Sequence, residues 1–135
     1  MNKLERTALQ AVVAVGSLVP LAAGGAGMLF GPAMLGIAGG GDLDSHYRYL
    51  SGLLFAVGLG FASTVRGIEN RGARFRLLTA IVVVGGLGRL LAFVMAGQPS
   101  GSMLAALAME LVVTPGLALW QYRVAKRCDL AQVPL

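Results

Sequence analysis

With 135 residues the chain has room for one domain, and at 56% apolar and 13% charged it falls outside the soluble range, where charge would be nearly twice as high. Its formal charge of +5 would point to nucleic acid only on a soluble basic surface. Here the basic residues sit between apolar runs, so no nucleic-acid partner is expected.

A bilayer core about 30 Å thick needs about 20 helical residues at about 1.5 Å each. Four segments are read as spans, giving an all-α, integral membrane four-helix bundle that forms a single transmembrane domain over residues 1–135. The first, residues 8–30, is uncharged. Lys3 and Arg6 precede it and small residues follow at Ala22, Ala23 and Gly24, as in a signal peptide, but the run is longer than a signal core and is expected to stay as a helix. Residues 31–41 read as an outer loop whose apolar piece, residues 33–38, lies on the membrane surface, and its glycines lack the lysine of a phosphate loop.

The second span, residues 49–65, is entered through Leu43-Asp44-Ser45-His46-Tyr47-Arg48-Tyr49. Asp44 or Ser45 suits a helix cap, and Arg48 and Tyr49 suit an interface anchor. Gly52, Ala56, Gly60 and Thr64 recur every fourth residue, a spacing that marks a contact face where helices approach closely. The third span, residues 77–96, contains only Arg89 as a charge, with Gly85 near the same face; the fourth, residues 103–122, contains only Glu110. Pro20 and Pro115 fall inside the first and fourth spans, where each removes a backbone hydrogen bond.

Charge gives the direction. Arg66, Arg71, Arg74 and Arg76 lie between the second and third spans against Glu69 alone, whereas the link over residues 97–102 has no charge. Positive loops stay in the cytoplasm. With an even number of spans, Lys3 and Arg6 at one end and Arg123, Lys126 and Arg127 at the other fall on that same side, so both termini are expected inside. Cys128, the one cysteine, reads as an incidental thiol of the basic tail.

Arg89 and Glu110 are the informative charges, since each costs about 2.5–3.5 kcal/mol at the middle of a lone inserting helix. Arg89 stands seven residues before Ala96 and Glu110 seven after Met103, so both lie about 10 Å inside the outer boundary on consecutive antiparallel helices. An ion pair is expected, either a dry pair that fixes helix register or a pair facing a polar cavity. The segment around His46 enters on the same outer side. Asp44, His46, Arg48, Tyr49, Arg89 and Glu110 are therefore the candidate ligand-binding residues, and His46 and Glu110 are the candidates for acid-base chemistry. One histidine with Asp42, Asp44 and Glu110 is too few strong ligands for zinc, and Ser45 and His46 point about 100° apart on a helix, so neither a metal site nor a nucleophile pair is expected.

With these residues in view the chain resembles a bacterial family of small four-helix membrane proteins catalogued as domain of unknown function 4345. The resemblance covers nearly the whole chain and rests on residues 43–52, on Gly85-Gly86-Leu87-Gly88-Arg89-Leu90, and on Met109-Glu110-Leu111-Val112-Val113-Thr114-Pro115. It implies a bacterial inner-membrane location and a polar signature of Asp44, His46, Arg48, Arg89 and Glu110; it implies no reaction. In outline the architecture is also similar to small membrane proteins of the DoxX type, among which links to redox partners and to assembly of other membrane proteins occur.

The leading expectation is binding of an amphipathic membrane molecule, a lipid, quinone or isoprenoid, at an outer polar pocket. Its rivals are an accessory subunit of a larger membrane complex and an acid-base enzyme on a lipid-like substrate. Catalysis is not favoured and no cofactor is expected beyond a bound lipid or quinone. Partners are membrane lipids, with a homo-oligomer or larger membrane complex left open.

Overall fold

The computed structural model describes residues 3–97 and 100–130. Residues 98 and 99, in the uncharged link expected between the third and fourth spans, lie outside them. Among the described residues there are four helices and no strand. Helix α1 is Lys3–Phe30, α2 is Gly41–Ala62 and α3 is Gly72–Ala96. The fourth, residues 101–130, is an α segment Gly101–Ala108, a π-helical turn Met109–Val113 and a second α segment Thr114–Leu130, together called α4.

Among the described residues three helical stretches are long and apolar enough to cross a membrane, Lys3–Leu35, Gly72–Ala96 and Gly101–Cys128. The expected second span is not among them. Helix α2 starts at Gly41 rather than near residue 49, and Asp42, Asp44, His46 and Arg48 occupy its first two turns. That leaves residues 49–62 as its apolar part, about 21 Å of helix against a core of about 30 Å.

The chain forms two compact units, Ala11–Val65 and the described residues of Met1–Gln10 with Arg66–Leu135. In the first, α1 runs to Phe30 and stops at Gly31, whose φ of +64° no side chain favours and which Pro32 follows. A short 3-10 helix, Gly31–Leu35, follows, with Met34, Leu35 and Ile37 exposed. The contact between α1 and α2 is backbone-close and antiparallel. A Cβ on Gly24 would lie 2.5 Å from the Phe55 backbone nitrogen, one on Gly27 would collide with Ser51, and one on Gly58 would lie 2.9 Å from Leu21.

The stripe of small residues expected on α2 is therefore not where the two backbones come closest, although its Thr64 is fully buried. Gly52 has only ordinary contact with Met28, 3.7 Å away, and Ala56 is exposed. The small residues that admit the neighbour sit mainly on α1, and α2 presents Ser51 and Phe55 to them, a face turned about 100° from the one its own periodicity suggests. Pro20 leaves α1 one donor short, and Ser17 nearby returns its hydroxyl to the Val13 carbonyl at 2.7 Å.

The second unit is built on α3 and α4. At one end Leu9, Ile68, Phe75, Gln121, Val124 and Cys128 are buried. The buried Gln121 amide donates to the Ile68 carbonyl at 2.8 Å, tying α4 to the turn before α3. Glu5 and Glu69 are both paired here: Arg127 donates to Glu5, and Arg6 Nε stands 3.2 Å from Glu69 Oε2 in an ionic contact without hydrogen-bond alignment. Cys128 lies in this buried set, on a helix that continues through it, rather than in a loose tail.

Farther along, α3 and α4 approach at Gly86. A Cβ there would lie 2.8 Å from Leu111 Cδ2 and 2.9 Å from Glu110 Cβ, whereas Gly85, the expected contact glycine, has nothing within 4 Å. One residue of helix rotation separates the two positions.

Candidate functional site

Arg89 lies one turn beyond Gly86 on α3. The missing side chain at Gly86 lets the backbone bearing Glu110 come close enough for the two charges to meet. Arg89 Nε and Nη2 donate to Glu110 Oε2 and Oε1, both at 3.0 Å, which is the two-pronged geometry of a guanidinium on a carboxylate. The third nitrogen, Nη1, rests on the Met103 thioether, 2.9 Å from Sδ. The Arg89 side chain keeps 34% of its surface exposed and Glu110 keeps 19%, so the pair is partly rather than fully enclosed.

Glu110 sits in the π turn, and Pro115 explains that turn. Proline has no N–H for the Leu111 carbonyl and its ring would crowd that carbonyl, so the helix widens over Met109–Val113. The Met109 carbonyl accepts instead from the Thr114 backbone N–H and from its hydroxyl, the latter at 2.8 Å. Such widened turns are frequent where a helix presents functional side chains.

A second polar group belongs to the other unit. Arg48 Nε and Nη2 donate to Asp44 at 2.7 and 3.2 Å, and Nη1 donates to the Met28 and Leu29 carbonyls at 2.6 and 3.0 Å. Those carbonyls end α1, where no further helical N–H is available to them, so Arg48 caps α1 from α2. Gly31 makes room for this, because a Cβ there would lie 2.6 Å from Asp44 Oδ1 and 2.7 Å from Arg48 Nη2. Hydrogen bonding from Arg48 holds the Asp44 carboxyl below its ordinary value, against a smaller opposing effect of burial. The same bond raises the Arg48 guanidinium.

The expected cap of α2 by Asp44 or Ser45 is not made. Gly40 is the cap residue and no side chain bonds there, because the helix begins earlier and Arg48 takes the Asp44 carboxylate. His46 and Tyr49 are exposed, Tyr49 at 63%. Among the described residues no three His, Cys, Asp or Glu side chains converge as metal ligands would.

The structure thus joins Arg89 with Glu110 and, in the other unit, Asp44 with Arg48. Sequence reasoning missed Met103 and Gly86. Met103 had a signal, since it is seven residues before Glu110 and so on the same helix face.

Residues 8–121 match the family described as Domain of unknown function (DUF4345). The chain belongs to that family. The match takes in both polar groups of this DUF4345 chain, from Asp44 to Glu110, together with the glycines that admit them. No curated protein and no solved structure matches it.

Proposed function

We propose that the chain is a multi-pass protein of the bacterial inner membrane, with both termini cytoplasmic, that binds the polar head of an amphipathic membrane molecule through Arg89. Three apolar helices support the membrane location, and the direction is supported by the arginine-rich link between α2 and α3 together with the basic residues at both ends, which share one side when α2 crosses as well. The observation that carries the binding reading is the state of Arg89. Its third nitrogen rests on a thioether, a weak acceptor, while a third of the side chain remains exposed at a π turn. A lipid, quinone or isoprenoid head carrying oxygen would bond that nitrogen better than sulfur does.

The test is mass spectrometry of the protein extracted in mild detergent. A stoichiometric amphiphile is expected with the wild type, and about tenfold less with Arg89→Ala at matched monodispersity. A wild type that carries no such molecule overturns the reading.

A second reading is favoured by the two-pronged geometry itself. In it the chain is an accessory subunit of a larger membrane complex and Arg89–Glu110 only sets the register of α3 against α4. That reading expects a co-purifying protein and no bound amphiphile.

A further inference from the structure

The Arg89 guanidinium carries five N–H donors. Nε and one hydrogen of Nη2 go to Glu110, one hydrogen of Nη1 goes to Met103 Sδ, and among the described residues nothing accepts the other two. Glu110 uses both carboxylate oxygens on this fork, so the site is electrically neutral before a ligand arrives. This charge balance determines which head groups fit. A phosphate or carboxylate head would add negative charge beside a Glu110 side chain that is only 19% exposed, and it would compete with Glu110 for the same nitrogens. An uncharged carbonyl or ester oxygen brings no such charge. It needs one guanidinium hydrogen and forms a charge-assisted bond with one that nothing among the described residues accepts.

Resting on the reading of Arg89 as a head-group contact, we propose that the site selects uncharged amphiphiles whose head presents a carbonyl or ester oxygen. That oxygen is seated on the hydrogens of Nη1 and Nη2 that nothing among the described residues accepts, beside the Met103 sulfur. Glu110 is then the element of selectivity: it holds the fork in place and cancels the charge that would otherwise draw in fatty acids and acidic phospholipids. Met103 borders the seat.

The experiment offers the full-length protein, in mild detergent at about pH 9.5, where a fatty acid is ionised even though the apolar micelle raises its carboxyl, an equimolar mixture of methyl oleate and oleate. The two share one tail and differ in head charge. Retained ligand is read by native mass spectrometry. The wild type is expected to hold the ester over the acid by about tenfold. Glu110→Gln leaves the guanidinium uncompensated and reverses the preference. Met103→Gln brings a stronger acceptor beside Nη1 that competes with the ester for its hydrogens, and lowers ester retention about tenfold.

Equal or greater retention of oleate by the wild type overturns the selectivity and leaves head-group binding standing. Retention of neither molecule by the wild type overturns both. A folded Glu110→Gln protein that still prefers the ester removes the charge argument, and a Met103→Gln protein with unchanged retention removes the Nη1 seat. The wild-type comparison stands by itself if either variant fails to fold.

Discussion

Arg89 and Glu110 hold each other with two hydrogen bonds, and removing one partner strands the other in a partly enclosed place. Each single change, Arg89→Leu or Glu110→Leu, is expected to cost about 2 kcal/mol, below the 3–5 of a fully buried pair because Arg89 keeps a third of its surface exposed. The double variant is expected to be more stable than either single one. Unfolding in detergent over the four proteins of this cycle measures the coupling, and additive losses would remove it. Asp44 supplies the pH dependence. Its folded-state value lies below the ordinary 3.8, so its contribution is complete above that value and is lost as pH falls through the lower, folded one. Acid titration of the thermal midpoint should show this loss, and Asp44→Asn should remove it while weakening the α1 cap at neutral pH. At this scale the pair on α3 and α4 is legible in the sequence, because lone charges at equal depth in apolar helices need each other. The role of Arg48 is not, since capping α1 from α2 depends on where α1 stops and on the space left at Gly31.

Each helix is shaped by where backbones must come close. Gly24 and Gly16 are both glycines of α1, yet a Cβ on Gly24 meets the Phe55 backbone whereas one on Gly16 meets nothing within 4 Å. Gly24→Ala is therefore expected to lower stability by about 1–3 kcal/mol through forced separation of α1 and α2. Gly16→Ala should leave stability unchanged or raise it by up to about 1 kcal/mol. Thermal unfolding of the two variants side by side checks this, and equal effects would contradict it. Periodicity marks α2 as a helix with small residues on one face, but it does not tell which helix brings the knobs and which the holes. That is why Gly52 meets only the Met28 side chain and Ala56 is exposed, while Gly24, Gly27 and Gly58 take the close approach. The same limit separates Gly85 from Gly86, neighbours in sequence but about 100° apart around α3. Pro115 is visible in the sequence as a break in α4, and the π turn is the form the break takes.

For the whole molecule, the apolar runs read as four spans, of which three are helices long and apolar enough to cross; the apolar part of α2 is shorter than its run, because residues 63–65 follow the helix end and the charged first turns precede it. The proposed direction, with the arginine-rich link inside, expects reporter fusions at both termini to be active in the cytoplasm and a reporter placed between α1 and α2 to be active outside. Opposite signals from the two termini would mean that an odd number of helices crosses, with the short α2 lying at the surface. The central claim is that Arg89 meets the head of an amphiphile, and the measurement closest to it is photo-crosslinking in membranes with an uncharged long-chain ester bearing a diazirine beside its carbonyl. Mass spectrometry of the digested protein is expected to find the adducts around Arg89 and Met103, and to find them lost in Arg89→Ala. Adducts spread evenly along the apolar faces of α1, α3 and α4, unchanged by that substitution, would contradict it.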